Sequence, residues 1–547
     1  MYCNKENINM LTALLVKHGV TQCVVCPGSR NAPIVHNLDA CPEIQCYGVT
    51  DERSAAFFAL GLIMATRRPA AVCVTSGSAL LNVAPAVAEA AYQHLPLLVI
   101  SADRPQAWID QLDGQTLPQP PLLSSLVAYV AALNEPHDNT TRWQCCRLIN
   151  EALMALWPTG DAPSDTDGCF GAPVHINVPI SEPLFRFDQP SLPAVRMVRR
   201  HGTLAESLPC DIMQRLTASR RPLMVIGQCR LHLSAEEQKA VDELCALMPV
   251  LAEPLTDAVP MPCYAEEWVT DNQEWHPDFI MYIGGAVVSK KIKQYLRSQR
   301  DAYTVMIHPM GRLEDVTMHA DEVVAMDWRQ ALLITARAMA DRQGQEAFPS
   351  LPTVTDRPVD NTPSTFSTDF VVAYLEEQLY DLDCTCHVHY ANSSVVRSAC
   401  RFAHHHVYCN RGVNGIEGSL SVAVGHAAAL AAEGSDDKVI LVTGDLSFFY
   451  DQNALWNDHL SGHLRVVLIN DGGGSIFATI PGLAGSQAYP KLVCGAHHTS
   501  ARGICTQCDV GYLHADDADS LCMAMITMLT EETTRPIVLE VMMTKDN

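Results

Sequence analysis

The chain has 547 residues, 48% hydrophobic and 18% charged, the balance of a soluble globular protein too long for a single core. Its 61 acidic against 37 basic side chains leave a formal net charge of −24, which argues against nucleic acid and anionic membrane as partners. No apolar run reaches the roughly 18 residues of a spanning helix, and Met1-Tyr2-Cys3-Asn4-Lys5-Glu6 lacks a signal-peptide layout, so a cytoplasmic protein without membrane insertion is expected.

The first third alternates between two periodicities. A helix is expected over residues 8–18, then the run Cys23-Val24-Val25-Cys26, ending at Pro27-Gly28-Ser29-Arg30. A run over 44–49 ends at Thr50-Asp51-Glu52-Arg53 and leads into an apolar helix over 54–66. The run 70–74 ends at Thr75-Ser76-Gly77-Ser78, with a helix to about residue 92, and 97–100 ends at Ser101-Ala102-Asp103-Arg104-Pro105. Strands with polar tips and helices between them make a doubly wound parallel sheet whose functional edge is the strands' carboxyl ends. A polar loop over 158–171, a closing strand over 174–178 and a linker over 181–195 complete this unit.

A second α/β unit has strands over 223–227, 279–283, 303–307 and 322–325, with a helix near 234–248. The Pro/Thr/Ser/Asp-rich stretch 349–367 is a second linker. The last unit has helices over 368–380 and 418–432, a strand over 387–391, and a final helix and strand within 520–543. The expectation is therefore three doubly wound parallel-sheet α/β domains, over 1–185, 196–348 and 366–547, the first and third alike in layout.

Within the last unit the run Val439-Ile440-Leu441-Val442 stops at Thr443-Gly444-Asp445. A helix over about 451–460 follows, and Val466-Val467-Leu468-Ile469 stops at Asn470-Asp471-Gly472-Gly473-Gly474. A right-handed crossover sets these strands parallel and brings Asp445 and Asp471 to one edge. Two carboxylates on neighbouring loops suit a hard cation such as Mg²⁺, and the glycines let backbone approach a phosphate. An ordinary sheet switch point, where Asp and Gly only make turns, is the alternative.

The cysteines are expected to be reduced, largely core residues, and Cys505 and Cys508 lack the second pair that a zinc site needs. His404-His405-His406, read as strand, points to alternate faces and cannot converge on one ion. More informative are Arg30, Arg104, Lys290, Lys291, Arg397 and Arg411, all near expected strand ends, where so acidic a chain has no general reason to place cations. Guanidinium recognition of carboxylates accounts for the arginines.

Gly444-Asp445 followed by Asn470-Asp471 resembles the signature of the thiamine-diphosphate decarboxylase and carboligase superfamily. The wording Gly444-Asp445-Leu446-Ser447 and Gly473-Gly474-Ser475-Ile476-Phe477 is most similar to the 2-succinyl-5-enolpyruvyl-6-hydroxy-3-cyclohexene-1-carboxylate synthases of menaquinone synthesis. Thr50-Asp51-Glu52-Arg53-Ser54-Ala55-Ala56 resembles the motif whose glutamate hydrogen-bonds the cofactor's aminopyrimidine and shuttles its proton. The resemblance implies thiamine diphosphate and Mg²⁺, with Mn²⁺ as the substitute, on Asp445, Asp471 and Gly473, although the superfamily usually has Asn at the place of Asp471. It implies that Gly444, Leu446, Ser447 and Ile476 contact the cofactor and that Ile416 is the wedge that bends it. Ser29, Arg30, Arg104, Gln115 and Lys291 would hold isochorismate, beside Lys290. Ser393, Arg397 and Arg411 would hold 2-oxoglutarate, with Phe477 and Ile480 as apolar walls. Lys291 stands where the family more often has Arg.

By the same resemblance the site forms between two chains, so a homodimer is the minimum active unit and a tetramer the larger assembly expected. The activity implied is decarboxylation of 2-oxoglutarate and conjugate addition of the succinyl unit to isochorismate. A different thiamine enzyme, of the acetohydroxyacid synthase or 2-oxoacid decarboxylase type, is the enzymatic alternative. A non-catalytic nucleotide or anion sensor needs the phosphate loop but not Glu52.

Overall fold

A computed structural model describes residues 1–158, 170–200, 204–258, 265–342 and 363–543. The expected loop at 158–171 and linker at 349–367 fall largely outside these residues. The N-terminal strands are β1 (Gln22–Val25), β2 (Gln45–Gly48), β3 (Ala70–Val74), β4 (Leu97–Asp103), β5 (Tyr129–Ala132) and β6 (Val174–Pro179). The central ones are β7 (Pro222–Ile226), β8 (Val250–Ala252), β9 (Phe279–Ile283), β10 (Tyr303–Ile307) and β11 (Glu322–Val324). The last unit has β12 (Cys386–Tyr390), β13 (Val407–Tyr408), β14 (Lys438–Gly444), β15 (Leu464–Asn470), β16 (Gly511–Ala515) and β17 (Ile537–Met542).

These strands make three wholly parallel sheets, ordered β2-β1-β3-β4-β6-β5, β11-β10-β9-β7-β8 and β13-β12-β14-β15-β17-β16. The first and third orders correspond strand for strand, so the likeness of layout extends to topology. Strands covered on both faces carry continuous apolar runs: β3, β4 and β15 are buried throughout.

The helices Glu52–Thr66 and Ser419–Glu433 occupy equivalent places in the two units, each just before the third strand. Each is buried on every side over most of its length, residues 54–64 in one and 419–430 in the other. They pack on each other through reciprocal glycines. A Cβ at Gly61 would lie 2.1 Å from Val422 O, and one at Gly425 2.1 Å from Phe58 O. Only glycine permits such backbone contact, and it merges the inner faces of the two domains into one apolar core.

Two local expectations need correction. No helix spans 451–460: an α-helix begins at Asp445 and runs to Tyr450, followed by a 3₁₀ turn, Gln452–Leu455. The buried Asp451 ends the helix because its carboxylate accepts from Ser421 N and Ser421 Oγ, both at 2.8 Å. The three histidines at 404–406 lie in the loop before β13, not in a strand; His405 Nε2 is 2.9 Å from Glu376.

Candidate active site

The tips of β14 and β15 meet as the crossover argument requires, with Gly444 in register with Ile469. Asp445 is buried, and its Oδ1 accepts from Leu446 N at 2.6 Å, satisfying one orphan donor of the helix it starts. Its Oδ2 accepts from Gly473 N at 2.9 Å, tying the two tips together. Gly472 and Gly473 have φ of 71° and 151°, conformations that glycine adopts without strain. Half-buried Asp471 sits on the same tip. Asn470 turns inward instead, donating to Thr499 O and Glu540 Oε1.

His497 Nε2 lies 3.2 Å from Asp445 Oδ2, off the line of a hydrogen bond. Its Nδ1 accepts from Thr499 N, so the neutral ring carries its proton on Nε2, toward the carboxylate. Among the described residues no lysine or arginine pairs with Asp445. A buried carboxylate without a cationic partner, beside a second carboxylate and a glycine loop, is a donor set that fits a divalent cation.

Glu52 is the first residue of its helix. Asp51 caps it, accepting from Arg53 N at 2.9 Å and Ser54 N at 3.1 Å, so the second carboxylate is left outside the cap. Glu52 Oε2 accepts from Asn82 Nδ2 at 3.0 Å. Within the chain this helix start contacts the far end of the Asp445 helix: Arg53 donates to Tyr450 O at 2.6 Å, and Asn453 to Asp51 at 2.7 Å.

Ile416, an apolar side chain left 39% exposed, lies on the loop between β13 and the second buried helix. Ser447 Oγ donates to Ile416 O at 2.5 Å, so the wedge expected from the sequence is bonded to the segment that starts at Gly444.

The expected substrate residues fall into two groups. Lys290, Lys291, Arg397, Ile476, Phe477 and Ile480 line one cavity of about 670 Å³ between the central and C-terminal domains. Ser393, with a left-handed φ of 84°, begins the helix Ser394–Phe402 that carries Arg397; strain of this kind at a non-glycine residue is typical of binding sites. The second group lies at the carboxyl edge of the N-terminal sheet. Arg30 is buried, donates to Ile180 O at 3.0 Å and leaves Nε unpartnered. Burial, then the nearby Arg104, pull its pKa down. Arg104 pairs with Asp113 at 3.2 Å, Gln115 donates to Ser76 O at 3.2 Å, and Ser29 is exposed. Arg411 lines a neighbouring cavity of about 450 Å³, where the three domains meet. It is near enough to buried Glu253, on the first cavity, to oppose that carboxyl's burial-driven rise in pKa.

The sequence reading missed Glu253, Glu266, Ser289 and Arg401 in the 670 Å³ cavity. Ser289 caps the helix Lys290–Ser298 and bonds Glu266, which in turn pairs with Lys291 at 3.2 Å. The serine just before Lys290-Lys291 was the available signal; Glu253 and Glu266 left none. Every cysteine among the described residues is a free thiol. Among those residues the one cluster of three or more His, Cys, Asp or Glu side chains spaced for a metal is His94, His308 and Glu314, away from these tips. It does not suit one, because His308 Nδ1 accepts from Met310 N and Arg312 N, leaving the proton on the nitrogen that faces Glu314.

The family model described as thiamine pyrophosphate enzyme, N-terminal TPP binding domain, matches residues 8–122. A 2-succinyl-5-enolpyruvyl-6-hydroxy-3-cyclohexene-1-carboxylate synthase of Bacteroides fragilis is 40% identical, covering 100% of this chain and 97% of its own. Synthases of the same name from Bacteroides thetaiotaomicron and Cytophaga hutchinsonii are 39% and 32% identical, covering 100% and 94% of this chain and 97% and 91% of their own. Among solved structures, benzoylformate decarboxylase from Polynucleobacter necessarius superposes with a TM-score of 0.74 at 18% identity, covering 100% of this chain and 99% of that one. A thiamine-diphosphate-dependent 4-hydroxybenzoylformate decarboxylase from Rhodococcus jostii gives 0.71 at 16%, covering 99% of each. At those identities the two structures speak for the fold alone.

Proposed function

Since the chain belongs to the family of 2-succinyl-5-enolpyruvyl-6-hydroxy-3-cyclohexene-1-carboxylate synthases, thiamine-diphosphate enzymes of menaquinone biosynthesis, we propose how its own residues divide that work. When bound, thiamine diphosphate supplies the nucleophilic carbon that accepts a 2-oxo acid and lets CO₂ leave. Asp445, Asp471 and Gly473 would hold Mg²⁺ next to the diphosphate. Leu446, Ser447 and Ile476 would contact the cofactor, with Ile416 as its apolar wedge. Glu52 holds and returns a proton at the aminopyrimidine nitrogen; its place outside the Asp51 cap leaves the carboxyl able to do so.

Arg397, with Ser393 at the start of its helix, takes up a carboxylate of the 2-oxo acid in a cavity that Lys290, Lys291 and the apolar Ile476, Phe477 and Ile480 also line. That convergence of cations and apolar walls is the observation that carries the assignment of a dicarboxylic 2-oxo acid, 2-oxoglutarate, as donor. Arg411, which lines the neighbouring cavity, is the second arginine assigned to this substrate. Ser29, Arg30, Arg104 and Gln115 hold isochorismate, joined by Lys291 of the central domain when two chains meet. The active unit is thus a homodimer or a dimer of dimers, in the cytoplasm, with domain bounds of 1–185, 196–348 and 366–547. No helix among the described residues is long and apolar enough to cross a membrane. The test is CO₂ release from 2-oxoglutarate against pyruvate, then product formation with isochorismate added. Preference for pyruvate would discard the donor assignment.

A further inference from the structure

The loop 409–416 carries both Arg411 and Ile416, and what fixes it is a carboxylate from another domain. Glu89, on the helix Ala84–Gln93 of the N-terminal unit, is 1% exposed. Its Oε1 accepts from Gly412 N at 2.7 Å and from Gln93 Nε2 at 2.5 Å, and its Oε2 accepts from Val413 N at 2.8 Å. The approach is so close that a Cβ at Gly412 would stand 2.8 Å from Glu89 O and 3.1 Å from its carboxylate. Burial pushes the Glu89 carboxyl up in pKa, opposed by these three donors.

Three other residues hold the same loop. Asn392, at the end of β12, donates to Asn410 O at 2.6 Å and Gly415 O at 2.7 Å, and its Oδ1 accepts from Arg411 Nη1 at 2.9 Å. Gln228 of the central domain donates to Cys409 O at 2.9 Å and to Gln93 Oε1 at 3.1 Å. Ser447 holds Ile416 O. The backbone on either side of Arg411 is therefore fixed from all three domains, and Glu89 is the acidic member of the set.

We propose that Glu89 is a positioning residue that sets where the Arg411 guanidinium points, and through it the affinity for the 2-oxo acid. A carboxylate is required because both oxygens must accept from the backbone N–H groups of two adjacent residues, Gly412 and Val413; an amide presents a donor to one of them. The inference rests on the reading of Arg411 as a substrate anchor, and a double-mutant cycle separates the two.

Steady-state kinetics with 2-oxoglutarate on E89Q, R411A and the double variant, with the holoenzyme, make the test. E89Q should raise KM roughly tenfold, the size of one lost hydrogen bond to a charged group, and should add nothing to the rise seen in R411A, because it acts through that residue. Hydrogen exchange should show the 412 and 413 amides deprotected in E89Q. A purely structural Glu89 would lower melting temperature and leave KM alone, which would overturn the proposal, as would effects that multiply in the double variant. A wild-type KM in R411A would instead remove the reading of Arg411, and the inference with it. If E89Q does not fold, G412A displaces the same loop from the opposite side and should reproduce the KM rise.

Discussion

Gly61→Ala is the sharpest structural perturbation available in the buried helix pair. The added methyl would sit 2.1 Å from Val422 O and 2.7 Å from His426 N, both backbone atoms with no rotamer to yield. Restoring ordinary contact requires the two helices to part by about 1 Å. Overpacking of this kind costs about 3 kcal/mol at the top of its usual range, and alanine's better helix propensity returns about 1. The net loss of about 2 kcal/mol should lower Tm by about 4–8 °C in a domain of this size. Glu52 begins one of the helices and Ile416 just precedes the other, so kcat should fall with it. Gly425→Ala, its counterpart, should behave alike. Gly503→Ala, on a helix where a Cβ meets nothing within 4 Å, should melt at or above wild type. Calorimetry on the three variants is the assay, and a Gly61→Ala protein that melts with the wild type would refute the packing argument.

Acid should destabilise the protein. Burial lowers the pKa of His94 and His175 to about 4 and of His389 to about 3. Below pH ~6.5 the unfolded chain takes protons that these folded sites refuse, so stability is whole above that pH and falls as pH drops toward 4, by roughly 3 kcal/mol per site. Asp451, raised to about 6 by burial, works in the opposite direction. Denaturant unfolding between pH 7 and 5 checks the net slope; a flat profile contradicts it. Asp445→Asn should abolish the rise in Tm that Mg²⁺ with thiamine diphosphate gives the wild type, whereas Asp471→Asn should keep it at several-fold weaker metal affinity. Glu266→Gln should release Lys291 from a half-exposed pair worth less than about 1 kcal/mol, leaving Tm almost unchanged and lowering KM for isochorismate.

The three sheets were legible because their long strands are apolar throughout and end in polar tips, as at Thr443-Gly444-Asp445. The short or edge strands β5, β8, β13 and β16 were not: with two to five residues each, they carry too little pattern to stand out. The helix expected at 451–460 fell on the wrong residues because Asp451, which looks like a helix start, is a buried stop that bonds Ser421. Of the site, the tip carboxylates and the lysines and arginine of the cavity could be read from the chain, since each follows a strand or opens a helix. Glu89, Glu253 and Glu266 could not. Their roles depend on which backbone amides or side chains from distant segments come to face them.

Mixed assembly measures directly whether Glu52 and Asp445 serve one site from two different chains. Glu52→Gln and Asp445→Asn proteins, each inactive alone, should regain activity when unfolded together and reassembled, because every mixed dimer then holds one site with both native residues. Recovery near one quarter of wild type is expected from random pairing. No recovery from a mixture shown to contain mixed dimers would mean that each chain builds its own site, and the proposed geometry would be wrong.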